Sequence, residues 1–117
     1  MRDLAIRRAA DYFDAGGFRA DLERRVAMPT ESQLPERAAT LAAYLDAEML
    51  PALVRLGFSG ETVTNPVAGG APFLIASRHE SDDLPTVLLY GHGDVVKGYE
   101  REWREGLSPW KVVIDGD

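Results

Sequence analysis

Residues 88–96 read Leu-Leu-Tyr-Gly-His-Gly-Asp-Val-Val, and the fold turns on what that stretch is. Val87, Leu88, Leu89 and Tyr90 are four consecutive apolar or aromatic residues, and the run breaks at Gly91. A strand with one wet face alternates apolar and polar residues; an unbroken run fits a central strand covered on both faces, as in a layered α/β protein. Residues 86–90 are therefore expected to form a buried strand. Open α/β sheets place their ligands just outside the carboxyl ends of such strands, so His92 and Asp94 stand where chemistry is expected.

On the N-terminal side of this stretch, residues 61–65 and 72–77 read as two further strands. The first is stopped by Asn65-Pro66, a turn follows at Gly69-Gly70, and residues 81–85, Ser-Asp-Asp-Leu-Pro, make another. Before residue 57 the pattern is helical. Ile6, Ala9, Ala10 and Phe13 share one face of a first helix over residues 3–14, which Gly16-Gly17 ends. Phe18, Leu22 and Val26 form the stripe of a second, whose charged face is read as solvated.

A third helix is expected over residues 36–56. Ala38, Leu41, Leu45, Met49, Ala52 or Leu53, and Leu56 trace its apolar face, with Pro35 in the first turn and Gly57 as the stop. Pro51 conflicts with this, because a mid-helix proline removes a hydrogen bond and clashes with the preceding turn. A kink over residues 47–51, or two helices in place of one, is expected. Thr30 with Gln33, or Ser32 ahead of Pro35, reads as its N-terminal cap.

Composition narrows the class. The chain has 117 residues, room for one small domain, and its 45% apolar content is that of a folded protein. Thirteen basic against nineteen acidic residues give a net charge of −6, which argues against a nucleic-acid surface. The absence of cysteine removes thiolate ligands and nucleophiles. No run approaches the roughly 18 apolar residues of a membrane span, and the N-terminus lacks the pattern of a signal peptide, so a cytoplasmic location is expected. Neither a Walker A loop, a G-x-G-x-x-G pattern nor a G-x-S-x-G elbow is present.

His92 offers an imidazole nitrogen suited to zinc or another first-row divalent ion. Asp94, two residues on, faces the same side of an extended segment and can accept a hydrogen bond from the other ring nitrogen. Gly91 and Gly93 let the backbone approach closely. A turn at Gly93-Asp94 needs no metal, however, and both readings stay open on these residues alone. His79, among Arg78, Glu80, Ser81 and Asp82, reads as an exposed polar residue, and Asp82 and Asp83 as turn formers.

The order of these features resembles the N-terminal segment of the M20 family of metallopeptidases, which includes dipeptidases, carboxypeptidases and amino-acid deacylases. Its His-x-Asp-Val-Val motif stands here as Tyr90-Gly-His-Gly-Asp-Val-Val96. The tryptophan, Pro-aromatic pair and Asp-Gly that follow in the family stand as Trp103, Pro109-Trp110 and Asp115-Gly116. Residues 25–32 look like the family's early helix-to-loop segment near the substrate cleft, and Leu56-Gly57-Phe58 fits its helix end. Trp110 replaces the common phenylalanine, and Lys97-Gly98 departs from the proline usual after the motif.

The resemblance implies an α/β fold, the N-terminal portion of a three-layer zinc-peptidase-like catalytic domain, with helices over residues 1–57 and mixed-sheet strands after them. It implies that His92 is a ligand to one of two divalent cations, zinc being the first candidate, and gives Asp94 the supporting catalytic role of orienting that histidine. The bridging aspartate, the Glu-Glu pair carrying the general base, and the remaining ligands have no match in this sequence and are expected beyond residue 117, as is a second domain through which the family forms homodimers. The implied activity is hydrolysis of a peptide or N-acyl amino acid substrate, with this segment inactive alone. Two other classes compete: a non-catalytic α/β domain acting through surface binding, and a metal-dependent phosphatase, for which Lys97 is the one nearby basic group.

Overall fold

Helical periodicity in the first residues becomes two helices, α1 over Arg2–Asp14 and α2 over Gly17–Val26, joined at Gly16 with a φ of 79°. The computed structural model describes residues 1–116, divided into two units: Met1–Met28 with residues 99–116, and Pro29–Gly98. In the first unit the Phe13 and Phe18 rings meet across the α1–α2 turn, centroids 5.9 Å apart. The Tyr12 hydroxyl donates to Asp21 on α2, and Arg24 pairs with the same carboxylate. Residues 100–102 form a 3₁₀ turn whose Glu100 accepts the Trp110 indole N–H at 2.6 Å.

In the second unit, Pro35–Arg37 makes a 3₁₀ turn that leads into α3, Ala38–Ala43. The expected long helix is then interrupted: Tyr44–Met49 is π-helical, and α4 resumes over Leu50–Arg55. Pro51 explains the break. It has no N–H to give the carbonyl four residues back, and the wider π turn places that defect in the first turn of α4, where a missing donor costs nothing. At the other end of α4, Gly57 has a φ of 84°. Its N–H bonds to the Val54 carbonyl and that of Phe58 reaches back to Leu53, which is a Schellman stop.

That exit leads directly into a hairpin. β1, Ser59–Val63, pairs antiparallel with β2, Phe73–Ser77, in a register that sets Glu61 opposite Ile75. Both strands lie close to the expected spans, but Asn65 belongs to the loop. Its side chain donates to the Ala71 carbonyl and accepts from the Val67 N–H, bracing the turn from within.

The expectation of a third, buried strand at residues 86–90 is not met. That segment has no strand partner, and Leu88 and Tyr90 are 94% and 90% exposed. A covered central strand needs neighbours on both edges and a layer on each face; the sheet here has two strands, and no apolar side chain among the described residues is fully buried. The architecture observed is a mixed α/β one, helices followed by a small two-stranded sheet. No described helix is long and apolar enough to cross a membrane.

Two outcomes are expected. In native-state hydrogen exchange, amides of residues 87–90 exchange near the unprotected rate, while the paired amides of β1 and β2 are protected; equal protection would contradict the open segment. Gly57→Ala has space for its Cβ, with Arg78 no nearer than 3.6 Å, but puts an L-residue at positive φ. Urea unfolding should show a loss of about 1–2 kcal/mol.

Candidate functional site

The residues that matter lie in two short segments of the Pro29–Gly98 unit, residues 30–32 and 92–98. Their backbones meet as a parallel bridge between Glu31 and Val95. The Val95 N–H donates to the Thr30 carbonyl at 2.9 Å, and the Ser32 N–H to the Val95 carbonyl at 3.2 Å. The Thr30 hydroxyl adds a bond to the Gly93 carbonyl at 2.6 Å. Thr30 and Ser32 therefore do not cap the following helix as expected; the turn at Pro35–Arg37 has no side-chain cap.

Glu31 completes this junction. Its Oε1 accepts the Gly98 N–H at 2.8 Å and its Oε2 the Arg37 Nε–H at 2.9 Å. The Gly98 amide, and after it the Arg37 guanidinium, holds the carboxyl below its usual range, while burial pushes the other way.

This backbone arrangement presents His92 and Asp94. The extended run through Gly93 puts both side chains on one side, with His92 Nδ1 3.0 Å from Asp94 Oδ1. An ionised carboxylate only accepts hydrogen bonds, so the contact selects the Nδ1–H form of neutral His92 and leaves Nε2 as the lone-pair nitrogen. The His92 side chain is 68% exposed and Asp94 42%, so Nε2 is open to a ligand from solvent. The Ser32 hydroxyl, followed by His92, keeps Asp94 below the usual carboxylate range against partial burial. Asp94 thus stays ionised as an acceptor.

Gly93 has a steric reason to be glycine. A Cβ there would collide with Cε1 of Tyr44, whose ring lies against the Gly93 backbone. The sequence gives no local sign of this contact, since Tyr44 lies in the π-helical segment, far from residue 93 along the chain.

The donor set fits one histidine ligand and its orienting carboxylate. It does not fit a two-metal centre on its own, because no group of three or more His, Asp or Glu side chains among the described residues is placed to hold an ion. His79 pairs with Asp82 at 3.3 Å on the exposed surface, and Ser81 braces the turn by accepting the Asp83 N–H. Comparison with family models, with curated proteins and with solved structures finds no match.

Gly93→Ala is expected to displace Tyr44 or the 93–95 backbone at a cost of about 1–3 kcal/mol in urea unfolding, and to move the His92 ring signals in NMR. A silent substitution would remove the steric role. Because the Glu31 pKa is lowered in the fold, its contribution is full above the ordinary carboxylate range and is lost as pH falls through the lowered value. Stability of the wild type should therefore drop more steeply on acidification than that of Glu31→Gln.

Proposed function

We propose that His92 is a metal ligand and Asp94 its orienting carboxylate in an M20-type metal-dependent hydrolase acting on peptide or N-acyl amide bonds. The observation that carries this reading is the 3.0 Å Nδ1–Oδ1 contact, which leaves an exposed Nε2 as the free electron pair. In a metal-ligating histidine the second nitrogen usually donates to a carboxylate in this way, raising the basicity of the ligating one. The ordered resemblance over residues 25–116 is the reason for placing that ligand in this family.

Bound divalent ions would supply a water of lowered pKa and a polarised scissile carbonyl. The chain's own residues contribute the earlier requirements. Asp94 fixes the tautomer and angle of His92, Ser32 keeps Asp94 ionised, and the open space at Gly91 leaves room next to His92. The general base and the other ligands are proposed to come from sequence beyond residue 117, which makes the 117-residue chain inactive by itself.

A zinc titration followed by NMR should perturb the His92 ring through Nε2 with weak affinity, and His92→Ala should abolish that perturbation. With excess zinc and a panel of dipeptides and N-acyl amino acids, no turnover is expected; clear hydrolysis by the 117-residue chain would sink the claim that its site is incomplete.

The bare apolar run at residues 87–90 favours a second reading, a non-catalytic α/β domain acting through surface binding. On that reading zinc uptake is indifferent to His92→Ala.

A further inference from the structure

Asp94 is held from both sides by one residue. The Thr30 hydroxyl donates to the Gly93 carbonyl at 2.6 Å, on the peptide that enters Asp94. The Thr30 carbonyl accepts the Val95 N–H at 2.9 Å, on the peptide that leaves it. The two bonds differ in kind. The second belongs to the backbone bridge, which the Ser32 N–H closes on the Val95 carbonyl, and main-chain atoms make it whatever side chain stands at position 30. The first depends on the hydroxyl.

Ahead of Asp94 the chain has little else to fix its path. Among the described residues, the backbone of residues 86–92 makes no hydrogen bond, so the His92 backbone reaches the bridge through Gly93. Glycine has no Cβ, and its φ and ψ range over regions closed to other residues. Local sterics therefore do not enforce the relation that lets His92 Nδ1 meet Asp94 Oδ1 at 3.0 Å. The Tyr44 ring lies against Gly93, but an apolar contact sets no direction for a carbonyl. A hydrogen bond does.

We infer that Thr30 is a positioning residue for the His92–Asp94 pair, its hydroxyl fixing the peptide between them. The functional meaning rests on the reading of His92 as a ligand; the geometry stands by itself. Thr30 is 3% exposed and Gly93 half-buried. With a methyl in place of the hydroxyl, the Gly93 carbonyl faces an apolar group, and a buried acceptor left without a donor is costly. Rotation of that peptide carries the carbonyl toward water. His92 lies upstream of it with no backbone bond of its own, so the ring moves too, while Val95 stays where the bridge holds it.

The test compares Thr30→Val, which keeps the shape of the side chain and removes the donor, with Thr30→Ser, which keeps the donor and removes the methyl. The tautomer of the His92 ring is read in the metal-free 117-residue chain by long-range ¹⁵N–¹H correlation at about pH 8, where an unperturbed histidine is neutral. Wild type and Thr30→Ser should show the Nδ1–H pattern set by Asp94. Thr30→Val should move toward the Nε2–H form that free imidazole side chains favour. Hydrogen exchange at the Val95 amide, bonded to the Thr30 carbonyl in wild type and variants alike, reports that the bridge stays closed.

Zinc affinity at His92 should fall about tenfold in Thr30→Val, the usual cost of disturbing the groups that orient a ligand, and match the wild type in Thr30→Ser. A Thr30→Val chain with the wild-type ring pattern overturns the inference. So does an equal ring shift in Thr30→Ser, which assigns the effect to the methyl group. Loss of Val95 protection in Thr30→Val overturns it as well, since the hydroxyl would then serve the whole bridge and not the pair. If His92→Ala leaves zinc uptake unaltered, the ligand reading fails instead, and the metal-free ring pattern still decides the role of Thr30.

Discussion

The contact on which the site depends is the parallel bridge between Glu31 and Val95. It joins segments about 60 residues apart in sequence, and each of its elements has a partner: two backbone bonds, the Thr30 hydroxyl on Gly93, and the Glu31 carboxylate on Gly98. A junction this small cannot rely on apolar burial, which scales with area removed from water. It relies on satisfying polar groups, two of which, Thr30 and Glu31, are taken out of water. Its members are a threonine, a glutamate and backbone amides, and those are the groups that bear such a load.

That chemistry separates what was legible in the sequence from what was not. Local features could be read. The helix stop at Gly57, the turn at Gly16, the hairpin strands and the break at Pro51 each follow from one residue's own backbone limits or from a short periodicity. The i, i+2 relation of His92 and Asp94 is equally local, and the two side chains do meet. Thr30, Glu31 and Ser32 were another matter. Hydroxyl and carboxyl groups ahead of a helix satisfy the pattern of a cap, and nothing adjacent reveals that their partners lie near residue 95. Tyr44 over Gly93 was hidden for the same reason.

Residues 87–90 show the converse. Their composition specifies a covered strand, yet the cover is a property of the surroundings, and among the described residues no strand pairs with them. An unbroken apolar run states what a segment needs. It does not supply it. The same holds for the apolar faces of α1 and the α3–α4 stretch, which have the right spacing without full burial.

The separation of the two bridged segments also bears on the order in which the chain organises. The α1–α2 turn closes over a few residues and the β1–β2 hairpin over little more, while bringing residue 31 to residue 95 closes a loop several times longer. Closure entropy rises with the logarithm of loop length, about 0.6 kcal/mol per doubling. A path to that junction forms most readily once the helices and hairpin between have shortened it. The order implied is helices and hairpin first, bridge last, so an intermediate with native secondary structure would still hold His92 and Asp94 without the clamp that aligns them. Competence at this site would arrive as the closing event of folding and would be the first property surrendered on unfolding.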